Sequence, residues 1–245
     1  MTSVLQLVID APRRRNALSR PVLAALLTSL TQVGEDTTGV VLSGRGVVFS
    51  AGADFAELTG TAEDARYDHD VAAVGEAIRS LRVPVIAAIE GPCLGAAADL
   101  ALQCDVRVAA EGSYLQVPAV RLGLLYNPAT VERLARAYPR DTVRRLLLLG
   151  ERFTSDEALA AGLVSHLAPR GGAVQAATGL LADITTDELA ALAATKELLN
   201  HLDTRDLSDA DSAAHWSERR RALLDSPTRK AAVDRARRTH ADNES

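Results

Sequence analysis

The sequence predicts an α/β fold built on parallel strands, and three observations carry that prediction. Short apolar, β-branched runs at 40–42 and 85–89 suit strands buried on both faces of a sheet. Between them, 63–81 has helical spacing and stops before Pro84, so strand, helix and strand follow one another as in a parallel crossover. Strand-like runs crowd the first half of the chain, while the second half is helical in pattern.

The remaining elements follow in order. Residues 4–9 alternate and are β-branched, which predicts a strand. Residues 19–33 carry Leu and Val at helical spacing, with Ser19 as cap and Pro21 in the first turn, where its missing amide hydrogen costs nothing. A further strand is expected at 106–109, and helices at 130–137, 142–149, 155–161, 173–184 and 187–201. The stretch 206–240 is polar and Arg-rich on one side. The expected division is a core domain over 1–190 and a helical segment over 191–245.

Composition narrows the function classes. A chain of 245 residues is long enough for one sizeable core. Its net charge of −5, with no long basic run before the tail, argues against a nucleic-acid partner. The basic residues are almost all Arg; Lys196 and Lys230 are the only lysines, which argues against Schiff-base chemistry. Cys93 and Cys104 match no metal spacing and read as buried free thiols in a reducing compartment. The N-terminus lacks the basic lead of a signal peptide, and no apolar run reaches ~18 residues, so a cytoplasmic protein without a membrane partner is expected. His69, His166, His201, His215 and His240 are scattered, and no metal site is expected.

Chemistry concentrates in two stretches, GRGVVFSAGADFAEL at 44–58 and EGPCLGAAADLALQCD at 90–105. Each reads as a strand turning through Gly and Ala into a helix, so each can aim backbone amides at one ligand oxygen. Asp54 and Glu57 form a D-x-x-E pattern that predicts a capping box for the first of these helices. The glycines of 44–46 do not make a dinucleotide fingerprint, because Phe49 stands where the third glycine belongs.

These stretches resemble the crotonase, or enoyl-CoA hydratase/isomerase, superfamily, with turns of the form G-x-x-x-F-x-A-G-A-D and E/N-G-x-x-x-G-G-G-x-E-L-A-x-x-C-D. PRRRNALS at 12–19, VPAVRLGL at 117–124 and TSDEALAAGLVSHL at 154–167 extend the likeness in the same order. The resemblance implies a spiral of ββα units with a helical C-terminal segment that covers the active site or joins subunits. It implies an acyl-CoA thioester as substrate, no resident cofactor, and a homotrimer or dimer of trimers. Catalytic positions carried over are the amides of Ala53 and Ala96, together with Asp99 and Tyr126. Coenzyme A contacts carried over are Arg15, Ala17, Ala51, Gly52, Asp54 and Gly95.

Departures from the family pattern matter as much. Hydratases keep two glutamates; here the first becomes Asp99 and the second Ala119, so weak hydratase activity is expected. Asp99 reads equally as a proton shuttle and as a complement to the helix dipole. The LGLLYNP turn at 122–128 resembles methylmalonyl-CoA decarboxylases, whose tyrosine lies against the substrate carboxylate, although those proteins have His where this chain has Ala53. A decarboxylase using Tyr126 and a non-catalytic acyl-CoA binder therefore stand as alternatives. His69 falls in a region that borders the family's acyl pocket. By the same resemblance, the first residues look like the second strand of the family's usual N-terminal hairpin, and the tail lacks the family's aromatic and basic contacts.

Overall fold

The computed structural model describes residues 3–243, with side chains as far as 238. Five strands form the main sheet in the order β1 (Ser3–Ile9), β2 (Thr37–Gly44), β3 (Val85–Ile89), β5 (Val106–Ala110) and β8 (His166–Ala168). All four pairings are parallel. A second, narrow sheet joins β4 (Pro92–Leu94) to β6 (Tyr114–Gln116) in parallel and β6 to β7 (Arg152–Thr154) antiparallel. Single bridges extend it backwards along the chain, Ser50 to Cys93 and Leu18 to Ala53, both parallel.

These pairings make a spiral. Each pass places a long strand in the main sheet and a short one in the narrow layer, then returns through a helix: α1 (Arg20–Thr31), α2 (Ala65–Ser80) or α3 (Ala96–Gln103). The main sheet is apolar on both faces because both are covered. Val40, Leu42, Val85, Ala87 and Ile89 point into the larger core, where α1 to α3 pack. The alternate residues Val41, Ile86, Ala88 and Val108 meet Ala173, Ala177 and Leu181 in and beyond α7 (Ala173–Gly179). Gly39 admits this cover, since a Cβ there would lie 2.7 Å from the Leu181 side chain.

Helices dominate after β6: α4 (Pro128–Ala137), α5 (Arg140–Val143), α6 (Ser155–Ala160), α8 (Leu189–Leu202), α9 (Ala210–Leu224) and α10 (Pro227–Asn243). A capping box of Thr154 and Glu157 starts α6. The buried Lys196 docks α8 on the core, its Nζ donating to the carbonyls of Ile78 and Val83, each at 3.1 Å, and to Asp105 at 2.7 Å. All three ammonium donors are thereby used, which leaves no free amine for covalent chemistry. No α9 residue is buried; Trp216 meets the rings of His201 and His215 edge-on, with centroids 5.8 and 5.0 Å away.

Several expectations need correction. The helix expected after the first glycine turn is a three-residue 3-10 turn, Phe55–Glu57. Asp54 caps it, but Glu57 does not complete a box; its carboxylate accepts instead from the Arg20 amide, 2.7 Å away at the start of α1. The 142–149 helix is α5 continued as a π-turn, Arg144–Leu148, and 173–184 is helical only as far as Gly179. The strand expected before the second glycine turn is the three-residue β4, and β6 and β7 are additional to the expected strands. Cys93 and Cys104 are buried free thiols, and burial pushes Cys104 up to about 12. The side chain of His240 lies outside the described residues.

Candidate active site

The first glycine turn is clamped on both sides by backbone bonds. Ala51 donates to the Arg15 carbonyl at 3.0 Å and Leu18 to the Gly52 carbonyl at 2.8 Å, while Ser50 and Leu94 bond at 3.1 Å across the narrow sheet. Arg15 and Asn16 hold positive φ, 53° and 57°. The fully buried Asn16 stabilises this bend: its amide donates to the carbonyls of Arg45 (3.0 Å) and Val48 (2.7 Å), and its oxygen accepts from Ala11 (3.1 Å). Asn tolerates such a conformation better than most residues. Ala17 and Asp54 are buried beside it. Asp54 accepts from the Ala56 amide and pairs with Arg14, and that hydrogen bond holds its carboxyl below the usual range.

The second turn meets the first at backbone distance. Gly52 has φ +83°, and a Cβ built on it would sit 2.5 Å from the Leu94 carbonyl oxygen and 3.6 Å from the Ala96 nitrogen. Gly95 takes φ 53°, ψ −121°, a conformation that favours glycine, and its amide is fixed by the Gln116 carbonyl at 2.8 Å. Ala96 is then the first residue of α3, where amides have no partner inside the helix. Among the described residues, neither the Ala53 nor the Ala96 amide donates to a protein acceptor. Glu90, the first residue of the motif, points elsewhere and caps α7 through the amides of Gly171 (3.1 Å) and Ala173 (2.9 Å).

Asp99 is buried one turn along α3. It accepts from the Thr130 hydroxyl at 3.0 Å and pairs with Arg133, so it ties α3 to α4. Burial raises its carboxyl above the usual range against the pull of Arg133 and Thr130. Ala119 is buried at the start of the 3-10 turn Ala119–Leu122 and carries no acid or base. Tyr126 packs half-buried against the main core; desolvation pushes its phenol well up, and the charges of Asp99 and Asp68 add to the rise.

Asp68 is the residue that sequence reasoning missed. His69 is exposed, whereas its neighbour Asp68 is half-buried in the first turn of α2. Burial raises the Asp68 carboxyl, with Asp64 and Asp99 contributing. Among the described residues no donor engages it. Helical phase relative to the buried Tyr67, Val71 and Val74 was the available signal. Among the described residues, no cluster of His, Cys, Asp and Glu could hold a metal ion, and no helix is long and apolar enough to cross a membrane.

A parallel spiral carrying two apposed glycine turns defines a class of thioester-handling folds, and comparison with known proteins places the chain within it. The family model described as Enoyl-CoA hydratase/isomerase matches residues 1–234. A Mycobacterium leprae (strain TN) protein described as a probable enoyl-CoA hydratase is 33% identical over 202 residues, covering 80% of this chain and 79% of that one. Human mitochondrial Delta(3,5)-Delta(2,4)-dienoyl-CoA isomerase is 30% identical over 235 residues, covering 87% and 71%. The crystal structure of an enoyl-CoA hydratase from Polaromonas sp. JS666 superposes with a TM-score of 0.81 at 30% identity, covering 92% of this chain and 90% of that one. The chain belongs to the enoyl-CoA hydratase/isomerase family.

Proposed function

We propose that the protein is an acyl-CoA-processing enzyme that seats the thioester carbonyl oxygen between the amides of Ala53 and Ala96. The apposition of the two turns carries this reading: only a missing Cβ at Gly52 lets the first turn approach the Leu94 carbonyl and the Ala96 nitrogen. As an enolate forms, charge grows on that oxygen, and fixed donors stabilise it more than they stabilise the ground-state carbonyl. Coenzyme A arrives with the substrate and needs no resident cofactor. Its path runs by Arg15, Ala17, Ala51, Gly52, Asp54 and Gly95, with Asp54 acting through its backbone because its carboxylate is engaged by Arg14.

Hydration needs an acid and a base placed about the attacking water. Ala119 supplies neither, and Asp99 is held by Arg133 and Thr130, so hydration is slow. One carboxylate suffices to move a proton between carbons of a stabilised enolate. In this reading Asp68 does that work, supported by its half-buried place on α2 and by the absence of a donor to its carboxylate among the described residues: it takes a proton from carbon as the electron pair shifts into the thioester, then returns it to another carbon. Isomerase-type chemistry therefore fits better than hydration. Decarboxylation through Tyr126 receives less support, because Asp68 and Asp99 already bring negative charge to the phenol. A homotrimer or dimer of trimers in the cytoplasm belongs to the same reading, supported by the unburied α9 and by two unpaired cysteines.

The test measures binding and turnover separately for enoyl-, 3-hydroxyacyl- and malonyl-type CoA esters. Ala96→Pro removes one donor at a helix position that accepts proline, and turnover should fall by about two orders of magnitude. Failure to bind any thioester would sink the proposal; binding without turnover would favour a non-catalytic binder.

A further inference from the structure

Beyond Asp99, the stripe of α3 that begins at Ala96 does not turn apolar. Ala96, Asp99 and Gln103 stand at i, i+3 and i+7, one face of the helix. Gln103 is 8% exposed and accepts from Arg79, and it also stabilises the Asp99 carboxylate. Room for it is built into α2: a Cβ at Gly75 would fall 2.2 Å from the Gln103 amide oxygen. A glycine inside a helix is unfavourable in itself, so its use there marks the place kept for this amide.

A cavity of about 240 Å³ opens at the Gln103 end of this stripe, between α2, α3, α4 and the end of α8. Its walls include Arg79, Gln103, Thr130, Arg133, Asn200 and Asp203. The Asn200 amide donates to the Arg79 carbonyl at 2.8 Å, and among the described residues no donor reaches its own oxygen. Burial raises the Asp203 carboxyl above its usual range. Arg133 is held by Asp99 and the Leu102 carbonyl, and Arg79 by Glu76 and Gln103, so the arginines enter as neutralised donors rather than as a free cationic patch.

We infer that this cavity is a distal acyl subsite that selects acyl groups ending in a neutral hydrogen-bonding group over alkyl chains of the same length. The inference rests on the proposal that the thioester sits at Ala53 and Ala96. From there the rise of ~1.5 Å per residue places Gln103 roughly 10 Å along α3, within reach of a medium-length acyl chain. An alkyl terminus arriving among these groups strips water from them and returns no hydrogen bond, whereas a hydroxyl both donates and accepts. Sites built to hydrogen-bond a substrate reject the analogue that lacks the group more strongly than apolar pockets reject an added one.

Calorimetric titration of the full chain with butyryl-CoA, octanoyl-CoA and 8-hydroxyoctanoyl-CoA tests this. The hydroxylated ester should bind about tenfold or more tighter than octanoyl-CoA. In Gln103→Met, and separately in Asn200→Leu on the opposite wall, that ratio should shrink to about threefold or less. Equal affinity of the two eight-carbon esters, with butyryl-CoA bound, would overturn the subsite and leave the thioester site standing. Tighter binding of octanoyl-CoA would overturn it as well. Binding of none of the three would overturn both.

Discussion

Replacing Gly52 with alanine tests the apposition of the two turns directly. The new Cβ would lie 2.5 Å from the Leu94 carbonyl oxygen, and that oxygen belongs to backbone held within the narrow sheet. Overpacking of this kind costs ~1–3 kcal/mol. The left-handed backbone at φ +83° adds ~1–2 kcal/mol for a residue with a Cβ. Gly46 supplies the internal control, because it holds nearly the same φ, +79°, with nothing within 4 Å of a built Cβ. Gly46→Ala should therefore cost only the backbone share, ~1–2 kcal/mol. Urea unfolding of both variants isolates the clash as the difference, expected at ~1–3 kcal/mol. Butyryl-CoA titration should show a large loss of affinity in Gly52→Ala alone, since relief of the clash moves the Ala53 amide away from Ala96. Stabilities within ~0.5 kcal/mol of each other, the usual scatter of surface substitutions, would refute the claimed approach of the turns.

Three further outcomes are expected. Lys196→Met removes the donors to Ile78, Val83 and Asp105 and should cost ~2–4 kcal/mol in urea unfolding, below the fully buried limit because the Asp105 side chain is 29% exposed; a neutral result would mean α8 docks without it. Crotonyl-CoA hydration should be slow in the native protein and rise in Ala119→Glu, and a native kcat/KM of about 10⁴ M⁻¹s⁻¹ or more would show that the second carboxylate is not needed. Asp68→Asn should abolish proton-transfer turnover while raising stability at neutral pH. The Asp68 carboxyl titrates above its unfolded value, so the native fold holds that proton more tightly and loses stability as pH rises through the folded value. The stability gain of Asp68→Asn should accordingly vanish below the ordinary aspartate range, and a gain unchanged across that span would remove Asp68 from the buried face.

What was legible in the sequence was set by local geometry. Gly95, Ala96 and the run to Gln103 announce their own turn and helix, and α3 begins where the motif places it. The apolar runs of β1, β2, β3 and β5 are long enough for their pattern to speak. Three-residue strands such as Pro92–Leu94 and Tyr114–Gln116 show no period, and they exist because the chain on either side is held by other passes of the spiral. Long-range partners were equally hidden. Glu90 sits in a glycine motif yet caps a helix begun at Ala173, and Asp99, which read as proton shuttle or dipole complement, is claimed by Arg133 from the next helix. His69 drew attention by its chemistry, while the rotation of α2 turned Asp68 inward instead.

The bond from the Gly95 amide to the Gln116 carbonyl orders the appearance of the site during synthesis. Both glycine turns leave the ribosome before Gln116 does, but the second is not fixed until β6 has paired with β4. A nascent chain that has reached only Asp105 thus carries both motifs, while the Gly95 amide still lacks its acceptor in β6. Parallel pairing between distant passes is slow to form, so the proposed thioester site is completed late, after the fourth pass of the chain has closed against the third.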